Sequence, residues 1–350
     1  MAELKHFIET DDFTKEEYLE MLKVIKTLKD AERKGIRLPL LKDQSLAMMF
    51  DQPSTRTRVS FEAAMTQLGG HALYLETKTL HCGEDRETIK DTAQVLSGMC
   101  DAIEIRTESQ DTIIELAKYS DVPVFSGMSS KCMHPTQALC DLFTMTEYMP
   151  EGKKIEDLVY MFIGDNSVLG DNIGGVCRTE ARLLSKMGVT FISCAPKEAE
   201  MAPEDVAYCK AEMEKSGGKF IQTDDPYEYI DQVDFIATDA WWYHGSDHLK
   251  EKKIATFFPK YSVNKELLSK AKPSIKVMHN LPGNRGYEIS DEVWDSDQSV
   301  LIPQAENRLH TEKGLLVYFM YPILEERQKQ RKQKDVDYYI NEIDALVLGK

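Results

Sequence analysis

Apolar residues in the first 150 positions alternate between short continuous runs and longer stretches with helical spacing. A short apolar run bounded by turn residues is typical of a buried strand, whereas apolar residues three and four positions apart are typical of a helix that buries one face. The short runs predict strands at 45–50, 72–75, 102–105 and 122–125. The longer stretches predict helices at 15–34, 113–119 and 136–149. This alternation predicts a parallel sheet flanked by helices.

The pattern breaks at Pro150, Glu151 and Gly152 and then starts again. Further strands are predicted at 158–163, 189–194 and 235–238, together with a helix at 177–187. A chain of 350 residues with 42% hydrophobic content can bury two full cores. We therefore predict an α/β protein of two domains, 1–150 and 151–321, each a mostly parallel sheet flanked by helices.

An added C-terminal helix is predicted over 322–350. The segment 324–334 is strongly charged, and the apolar residues that follow it share one helical stripe: Val336, Ile340, Ile343 and Val347. An apolar stripe on a terminal helix needs a partner surface. That surface could belong to the same chain or to an adjacent subunit.

Composition and charge exclude several classes of function. The net charge is −16, and a surface of that sign repels the phosphates of nucleic acid. No apolar run approaches the length of a membrane span. The first residues carry acidic groups and lack the apolar core of a signal peptide, so we expect a cytoplasmic protein.

The seven cysteines show neither CxxC pairs nor regular spacing. This is typical of free thiols in a reducing compartment rather than of a disulfide framework or a zinc site. Cys132 and His134 could form part of a metal site, but two further ligands at suitable spacing are missing. We therefore expect no bound metal.

The run Ser54, Thr55, Arg56, Thr57 and Arg58 precedes a helical pattern and is typical of a phosphate site. Small hydroxyl residues at the start of a helix leave backbone N–H groups free, and an anion placed there also meets the positive end of the helix dipole. The guanidinium of Arg56 adds a planar fork of donors that suits phosphate oxygens. The alternative is an ordinary capped helix with surface arginines.

A second loop that enters a helix contains His134, Pro135, Thr136 and Gln137. His and Gln side chains at such a position can donate hydrogen bonds to a carbonyl oxygen that gains negative charge during acyl transfer. Alone, this run is more often a helix cap. Together with Arg106, Arg308 and the earlier hydroxyl-rich run, it could bind one anionic acyl phosphate.

A dinucleotide site is the competing interpretation of the second domain. Gly164 and Asp165 follow a predicted strand, and Gly170, Gly174 and Gly175 come soon after. The spacing does not match GxGxxG, so an NAD-dependent enzyme is a poor alternative. We therefore expect no cofactor.

The combined motifs resemble the aspartate and ornithine carbamoyltransferase superfamily, whose carbamoyl phosphate motifs are STRTR, a lone Arg, HPTQ and HxLP. The last motif is present as His279, Asn280, Leu281 and Pro282, and the resemblance covers roughly residues 5 to 321. It implies that residues of the first domain bind carbamoyl phosphate, namely Ser54, Thr55, Arg56, Thr57, Arg106, His134 and Gln137. It also implies that Arg308 faces the phosphate.

The resemblance further implies that the second domain binds an amine. The superfamily loop DxWxSMG appears here from Asp239 to Gly245 and keeps Asp239 but has Tyr243 where the Ser is usual. An expected Asn is replaced by Val168, which would leave the carboxylate of ornithine without a partner and therefore favours a diamine. The remaining amine-side contacts are expected from His279, Asn280, which replaces the usual Cys, and the carbonyl of Leu281.

The segments PEGKKIED (150–157), SGGKFIQTDD (216–225) and FFPKYSVN (257–264) resemble those of the putrescine carbamoyltransferases of agmatine catabolism, a branch of this superfamily. The resemblance implies carbamoyl transfer between carbamoyl phosphate and putrescine, with five catalytic residues: Arg56, Thr57, Arg106, His134 and Asp239. It also implies a homotrimer with shared active sites, in which His81 of the adjacent subunit reaches the site and the C-terminal helix clasps a neighbour. The alternatives are transfer to ornithine or another amine, and an inactive homologue that only binds a metabolite.

Overall fold

The structure is a computed structural model that describes residues 3–80, 87–130, 132–167, 175–243 and 246–348. Two parallel sheets form its centre. The first has the strand order β2-β1-β3-β4, and the second has the order β7-β6-β5-β8-β9. The strands of the first sheet are β1 Ser45–Phe50, β2 His71–Glu76, β3 Ala102–Thr107 and β4 Val124–Ser129. Those of the second sheet are β5 Val159–Ile163, β6 Thr190–Cys194, β7 Lys219–Thr223, β8 Phe235–Thr238 and β9 Lys276–His279.

Helices connect most consecutive strands and cover both sheets, as parallel pairing requires, whereas β7 and β8, which are not neighbours, are joined without an α-helix. Those of the first part of the chain are α1 Lys15–Arg33, α2 Thr55–Gln67, α3 Ile89–Met99, α4 Gln110–Tyr119 and α5 Pro135–Glu147. Those of the second part are α6 Val176–Met187, α7 Pro203–Ser216, α8 Lys250–Phe257, α9 Lys265–Leu268 and α10 Asp291–Trp294. The C-terminal part contains α11 Leu301–Gln330 and α12 Gln333–Leu348.

Local sequence explains where several helices begin and end. Thr14 caps α1 through a reciprocal pair of hydrogen bonds with Glu17, the arrangement known as a capping box. Pro135 occupies the first turn of α5, where its missing N–H costs nothing. Gly188 ends α6 in a left-handed conformation with φ of 82°, which a residue without Cβ adopts freely. These signals explain where α1 and α5 begin and where α6 ends.

Helix α11 joins the C-terminal part of the chain to the first sheet. It packs on α1, α2 and α5. Its Phe319 ring contacts the rings of Phe7, Phe13 and Phe125 edge-on, at centroid distances between 5.6 and 6.0 Å. This packing places the N-terminal half of α11 beside the ends of the central strands.

Helix α12 exposes most of its apolar side chains. The side chains of Ile340, Ile343, Leu346 and Val347 are all more than half exposed. An exposed apolar face of this kind marks an interaction surface. None of the described helices is long and apolar enough to cross a membrane.

The predicted fold class is confirmed: two parallel sheets are flanked by helices, and a helix ends the chain. The strands predicted at 45–50 and 235–238 have the observed bounds, and most others differ from them by one or two residues. Strands β7 and β9 were not predicted. Strand β7 contains only exposed and half-buried positions, and β9 has only four residues, so neither forms a long apolar run. The domain bounds 1–150, 151–321 and 322–350 remain a prediction.

Candidate functional site

Three sequence motifs meet at the carboxyl ends of adjacent strands in the first sheet. The STRTR run follows β1, Arg106 lies near the end of β3, and the HPTQ run follows β4. Because β1, β3 and β4 are neighbours, residues distant in sequence converge there. Ligands bind at this edge of parallel α/β sheets. We call this group the arginine half of the site: Arg56, Thr57, Arg106, His134, Gln137 and Arg308.

The start of α2 offers free donors. Ser54 is the N-cap, but its side chain makes no capping hydrogen bond to the helix. The first backbone N–H groups of a helix have no partner within the helix. Thr57 is buried, Arg56 is half-buried and Thr55 is exposed. This end of α2 can therefore bind an anion through backbone, hydroxyl and guanidinium groups together.

Arg308 reaches this half from α11 and is fully buried. Its Nη1 donates to Oε1 of Gln137 at 2.8 Å, and its Nη2 lies 3.3 Å from the hydroxyl of Thr57 and 3.4 Å from that of Thr136. Nε donates to Oε1 of Glu312 at 3.1 Å. The Arg308 guanidinium thus contacts residues of both the STRTR and the HPTQ motif, and these hydrogen bonds fix the position of its positive charge.

His134 is the buried N-cap of α5. Its backbone N–H donates to the hydroxyl of Thr179 at 3.0 Å, and its Nδ1 lies 3.4 Å from the hydroxyl of Thr136. Burial, together with the nearby charges of Arg308, Arg106 and Arg56, holds its pKa well below the ordinary value. His134 is therefore a neutral imidazole near pH 7, able to donate one hydrogen bond without carrying charge.

Arg106 occupies an irregular point in the sheet. The β3–β4 register shifts between Ile105 and Arg106, and Nη1 of Arg106 donates to the carbonyl of Gly127 at 3.3 Å. Its Nε is buried and has no hydrogen-bond partner among the described residues. Burial lowers its pKa to about 10, so the guanidinium remains charged near neutral pH. A buried donor without a partner is what a site awaiting a polar ligand contains.

The other half of the site lies at the carboxyl ends of β5, β8 and β9, which are neighbours in the second sheet. We call it the aspartate half: Asp239, Trp241, Tyr243, His279 and Asn280. Asp239 follows β8, and His279 ends β9. The strand order therefore brings a carboxylate, two aromatic side chains, an imidazole and an amide to one sheet edge.

Asp239 is the buried acid of this half. Its Oδ1 accepts a hydrogen bond from the backbone N–H of Ala240 at 2.7 Å, and the side chains of Tyr243 and Asn280 also hydrogen-bond to the carboxylate. Burial raises its pKa above the ordinary value, while these hydrogen bonds and the nearby His279 oppose the rise. The carboxylate is held in a fixed orientation by three groups.

The two halves touch through a backbone carbonyl. An Nη2 hydrogen of Arg56 is donated to the carbonyl oxygen of Leu281. Leu281 has φ of 54°, a left-handed conformation that costs a non-glycine residue about 1 kcal/mol. Its N–H donates to Nδ1 of His279 at 2.8 Å, so the proton of a neutral His279 is on Nε2. The loop after β9 therefore presents its carbonyl to the arginine half.

Polar atoms without partners accumulate in the aspartate half. Trp241 Nε1 and Asn280 Oδ1 are buried and have no hydrogen-bond partner in the described parts of the chain, whereas His279 Nε2 lies 3.5 Å from the buried carboxylate of Glu288. The two open atoms are one donor and one acceptor. Such a set fits a small ligand with both kinds of hydrogen-bonding group.

Sequence reasoning missed four buried polar residues that support the site: Glu104, Asp141, Gln304 and Glu312. Asp141 accepts hydrogen bonds from the amides of Gln137 at 2.8 Å and Gln304 at 2.6 Å, and Gln304 in turn accepts from the backbone of His279. This chain of contacts connects the two halves beneath the ligand-facing surface. Two features of the sequence could have revealed Glu104 and Glu312. Glu104 is a charged residue inside the apolar run of β3, and Glu312 follows Arg308 by four residues, the spacing of an ion pair on one helix face.

Some predicted residues cannot be placed. His81, Val168 and His244 lie outside the described residues. The other predicted site residues lie at the two sheet edges or in the loops that follow them. Within the described ranges, no group of three or more His, Cys, Asp and Glu side chains could hold a metal ion.

Two family models match the chain. One is described as the aspartate/ornithine carbamoyltransferase carbamoyl-P binding domain and matches residues 5–147. The other is described as the aspartate/ornithine carbamoyltransferase Asp/Orn binding domain and matches residues 157–319. The arginine half draws on both matched segments, because Arg308 comes from the second.

Individual relatives cover nearly the whole chain. A putrescine carbamoyltransferase of Mycoplasma capricolum is 41% identical, over 99% of this chain and 93% of its own length. An ornithine carbamoyltransferase of Methanosarcina acetivorans is 42% identical over 88% of this chain and 97% of its own. The solved structure of an ornithine carbamoyltransferase from Pyrococcus furiosus has a TM-score of 0.83 and 37% identity, and it covers 90% of this chain and 97% of its own.

Proposed function

The chain belongs to the aspartate/ornithine carbamoyltransferase family, and from this premise we propose that it transfers a carbamoyl group between carbamoyl phosphate and putrescine. The observation that supports the donor most strongly is the convergence of three arginines, a neutral histidine and the free start of α2 at one sheet edge. An acyl phosphate dianion needs such a set of donors.

The arginine half binds carbamoyl phosphate and stabilises the transition state. Ser54, Thr55, Arg56 and Thr57 bind the phosphate end, and Arg106, His134 and Gln137 hold the carbamoyl group. As the amine attacks, negative charge develops on the carbonyl oxygen, and fixed donors stabilise that charge without having to reorganise. Arg308 contributes through Thr57 and Gln137, the two neighbours that it orients.

The aspartate half binds and orients the amine. The new C–N bond forms as the C–O bond to phosphate breaks, and the amine proton passes to the departing phosphate. An alkyl amine has a pKa of about 10.4, so the attacking form is a minority near pH 7. Asp239 accepts a hydrogen bond from the reacting nitrogen, and the unpartnered Oδ1 of Asn280 supplies a second acceptor.

Putrescine is favoured over ornithine by the polarity of this half. Ornithine brings a carboxylate, which needs donors when it is buried. The side chain of Tyr243 hydrogen-bonds to Asp239, so it is already engaged by an acid of the protein. Lys253 forms an ion pair with Asp165, which reduces the positive charge that Lys253 offers to a ligand carboxylate. Ornithine is the second candidate, because the Methanosarcina and Pyrococcus relatives are ornithine carbamoyltransferases.

We also propose a homotrimer whose active sites are shared between subunits. The supporting feature is the groove of about 510 Å³ next to Arg56, which is lined by α1, α2 and α11 and opens on one side of the donor site. His81 of the adjacent subunit completes the site. An inactive His81→Ala variant mixed with an inactive Arg56→Ala variant should regain activity, because some hybrid sites contain both intact residues. No recovery after exchange of subunits would contradict sharing.

Helix α12 packs on an adjacent subunit in this proposal. Its apolar residues are exposed on their own chain, and a second copy of the chain would cover them. Truncation after Arg331 should lower the melting temperature or dissociate the trimer, measured by calorimetry and light scattering. A truncated protein with unchanged mass and melting temperature would contradict the clasp.

The cellular role proposed is agmatine catabolism in the cytoplasm. The six described cysteines are free, which suits a reducing compartment. The enzyme itself can be tested by mass spectrometry of N-carbamoylputrescine formed from carbamoyl phosphate and putrescine. The function requires product above the uncatalysed background, and carbamoyl phosphate binding without turnover on any amine would favour an inactive metabolite-binding homologue instead.

A further inference from the structure

Two buried carboxyl groups lie behind the arginines of the site, and the mechanism above does not use them. Glu104 projects from β3, and Glu312 from α11. Both side chains are completely inaccessible to solvent. We call these two residues the acid pair.

Glu312 is bound directly to Arg308. Its Oε1 accepts hydrogen bonds from both Nε and Nη2 of that guanidinium, at 3.1 and 2.5 Å. The side chain of Ser60 also hydrogen-bonds to this carboxyl group, whereas Oε2 is buried and has no hydrogen-bond partner among the described residues. Glu312 therefore sets the orientation of Arg308 and offsets part of its charge.

Glu104 has no hydrogen-bond partner for either carboxyl oxygen within the described part of the chain. A Cβ placed on Gly127 would lie 1.8 Å from Oε1 of Glu104 and 3.1 Å from the methyl group of Thr57. The carboxyl group thus packs against bare backbone, directly behind a residue of the arginine half. Since an isolated buried carboxylate is very costly, Glu104 is protonated at neutral pH.

Electrostatics connect the two acids. Burial and the nearby Glu312 raise the pKa of Glu104 well above its ordinary value, against the opposing charges of Arg106 and Arg308. Burial also raises the pKa of Glu312, to about 7, with Arg308 opposing. Because Glu104 is already neutral, Glu312 is the member of the acid pair that can gain a proton near neutral pH.

Other charged and titratable groups face the same arginines. Arg56 and Asp51 influence Arg106, and Cys140 and Asp141 influence Arg308. His134 faces all three arginines. Substitution of the two carboxyl groups is therefore needed to identify which group takes up a proton when an anion binds.

We propose that Glu104 and Glu312 are positioning residues, and that Glu312, beside the already neutral Glu104, takes up a proton when an oxyanion dianion binds between Arg56 and Arg106, next to Arg308. The inference rests on the proposed function, since it assumes that this site binds carbamoyl phosphate. Without an anion, the charge of Glu312 offsets Arg308. With a dianion in place, that carboxylate is an unfavourable like charge, and a proton on the pair removes it.

Thermodynamic linkage makes this coupling reciprocal: if an anion promotes protonation, then protonation strengthens anion binding by the same factor. For one linked proton, anion affinity falls up to about tenfold for each pH unit above the pKa of the free pair. The pair therefore sets the pH range in which the site holds its donor, without touching the donor.

The test is titration calorimetry with sodium sulfate, a dianion that does not itself titrate near neutral pH. Binding to the full-length protein at pH 7.5 is measured in two buffers with different ionisation enthalpies, which gives the number of protons taken up. We expect uptake of about half a proton to one proton per sulfate. In Glu104→Gln/Glu312→Gln, uptake should fall to near zero and the pH dependence of sulfate affinity should flatten.

Controls separate this proposal from its alternatives. Glu198 and Glu204 are exposed, so Glu198→Gln/Glu204→Gln should behave like the unmodified protein. If the double variant does not fold, Glu312→Gln alone serves, because its amide oxygen can still accept from Arg308. Sulfate binding without proton uptake in the unmodified protein overturns the inference, as does uptake that persists in the variants and so belongs to a group such as His134. Absence of sulfate binding would instead contradict the proposed function, and the inference with it.

Discussion

The two halves of the site differ in how completely the protein itself holds their side chains. In the arginine half, Arg308 is bonded to Gln137 and Glu312, and Arg106 to a backbone carbonyl. In the aspartate half, several buried polar atoms have no partner among the described residues, including Trp241 Nε1 and Asn280 Oδ1. Among the described residues, the first half leaves one donor open, Nε of Arg106, whereas the second leaves both a donor and an acceptor open. This difference suits a constant carbamoyl donor and an amine that varies within the family.

The largest effect should come from Arg56, because it serves both halves. Arg56→Ala removes a donor at the start of α2 and the contact to the carbonyl of Leu281. We expect kcat/KM to fall by about 10³-fold, the scale of losing a transition-state donor. Steady-state kinetics with carbamoyl phosphate and putrescine measures this, and circular dichroism checks that the fold is unchanged.

Arg37→Ala is the matched control for this prediction. Arg37 is exposed and forms only a long surface ion pair with Glu32, at 3.6 Å. Its removal should leave kcat/KM within about twofold of the unmodified value, since surface ion pairs contribute little. Near-normal rates in Arg56→Ala would contradict the assignment of the arginine half.

Asp239→Asn should have the next largest effect and should separate the two halves. The amide keeps the shape of the side chain but loses the negative charge that orients the amine. We expect kcat/KM for putrescine to fall by about 10²-fold, as misorientation of a reactant does, while sulfate affinity stays the same. Equal losses of amine turnover and sulfate binding would show that the halves are not independent.

Packing in the arginine half can be tested at Gly127. A Cβ there would overlap the carboxyl group of Glu104, so Gly127→Ala should destabilise the protein by about 1–3 kcal/mol, the usual cost of overpacking. Thermal or urea unfolding measures this free energy. Glu104→Ala combined with Gly127→Ala should recover part of the loss, because the overlapping oxygens are gone.

Gly98→Ala is the control for Gly127→Ala. Gly98 lies within α3, has no positive φ, and has open space where its Cβ would be. Alanine there should raise the free energy of unfolding by about 0.5–1 kcal/mol through helix propensity. If Gly127→Ala were as well tolerated as Gly98→Ala, the close approach of Glu104 would be wrong.

The smallest effect is expected at Asn280, where the amide hydrogen-bonds to Asp239. Asn280→Cys restores the residue that the superfamily motif usually has and weakens that hydrogen bond. The thiol of Cys is a weaker donor than the amide, so a loss of about 1 kcal/mol from this bond to the carboxylate should lower kcat/KM for putrescine about fivefold. Unchanged kinetics with both putrescine and ornithine would remove Asn280 from the amine contacts.

The sequence was most informative where a motif follows a strand. The STRTR and HPTQ runs, Arg106 and Asp239 could be located because adjacent parallel strands end at one edge, and the structure brings them to that edge. The supporting acids could not be identified in this way. Glu104 looks like an ordinary strand residue, and its significance depends on Gly127, Arg106 and Arg308, which only the three-dimensional fold brings near it.

The proposed selection of a diamine by the aspartate half can be measured in a competition between two amines. The enzyme is given carbamoyl phosphate with equal concentrations of putrescine and ornithine, and mass spectrometry measures the ratio of the two ureido products. We expect predominantly N-carbamoylputrescine, because ornithine would bury a second carboxylate in the half that already contains buried Asp239. A predominance of citrulline would contradict that selection while leaving the arginine half as the carbamoyl phosphate site.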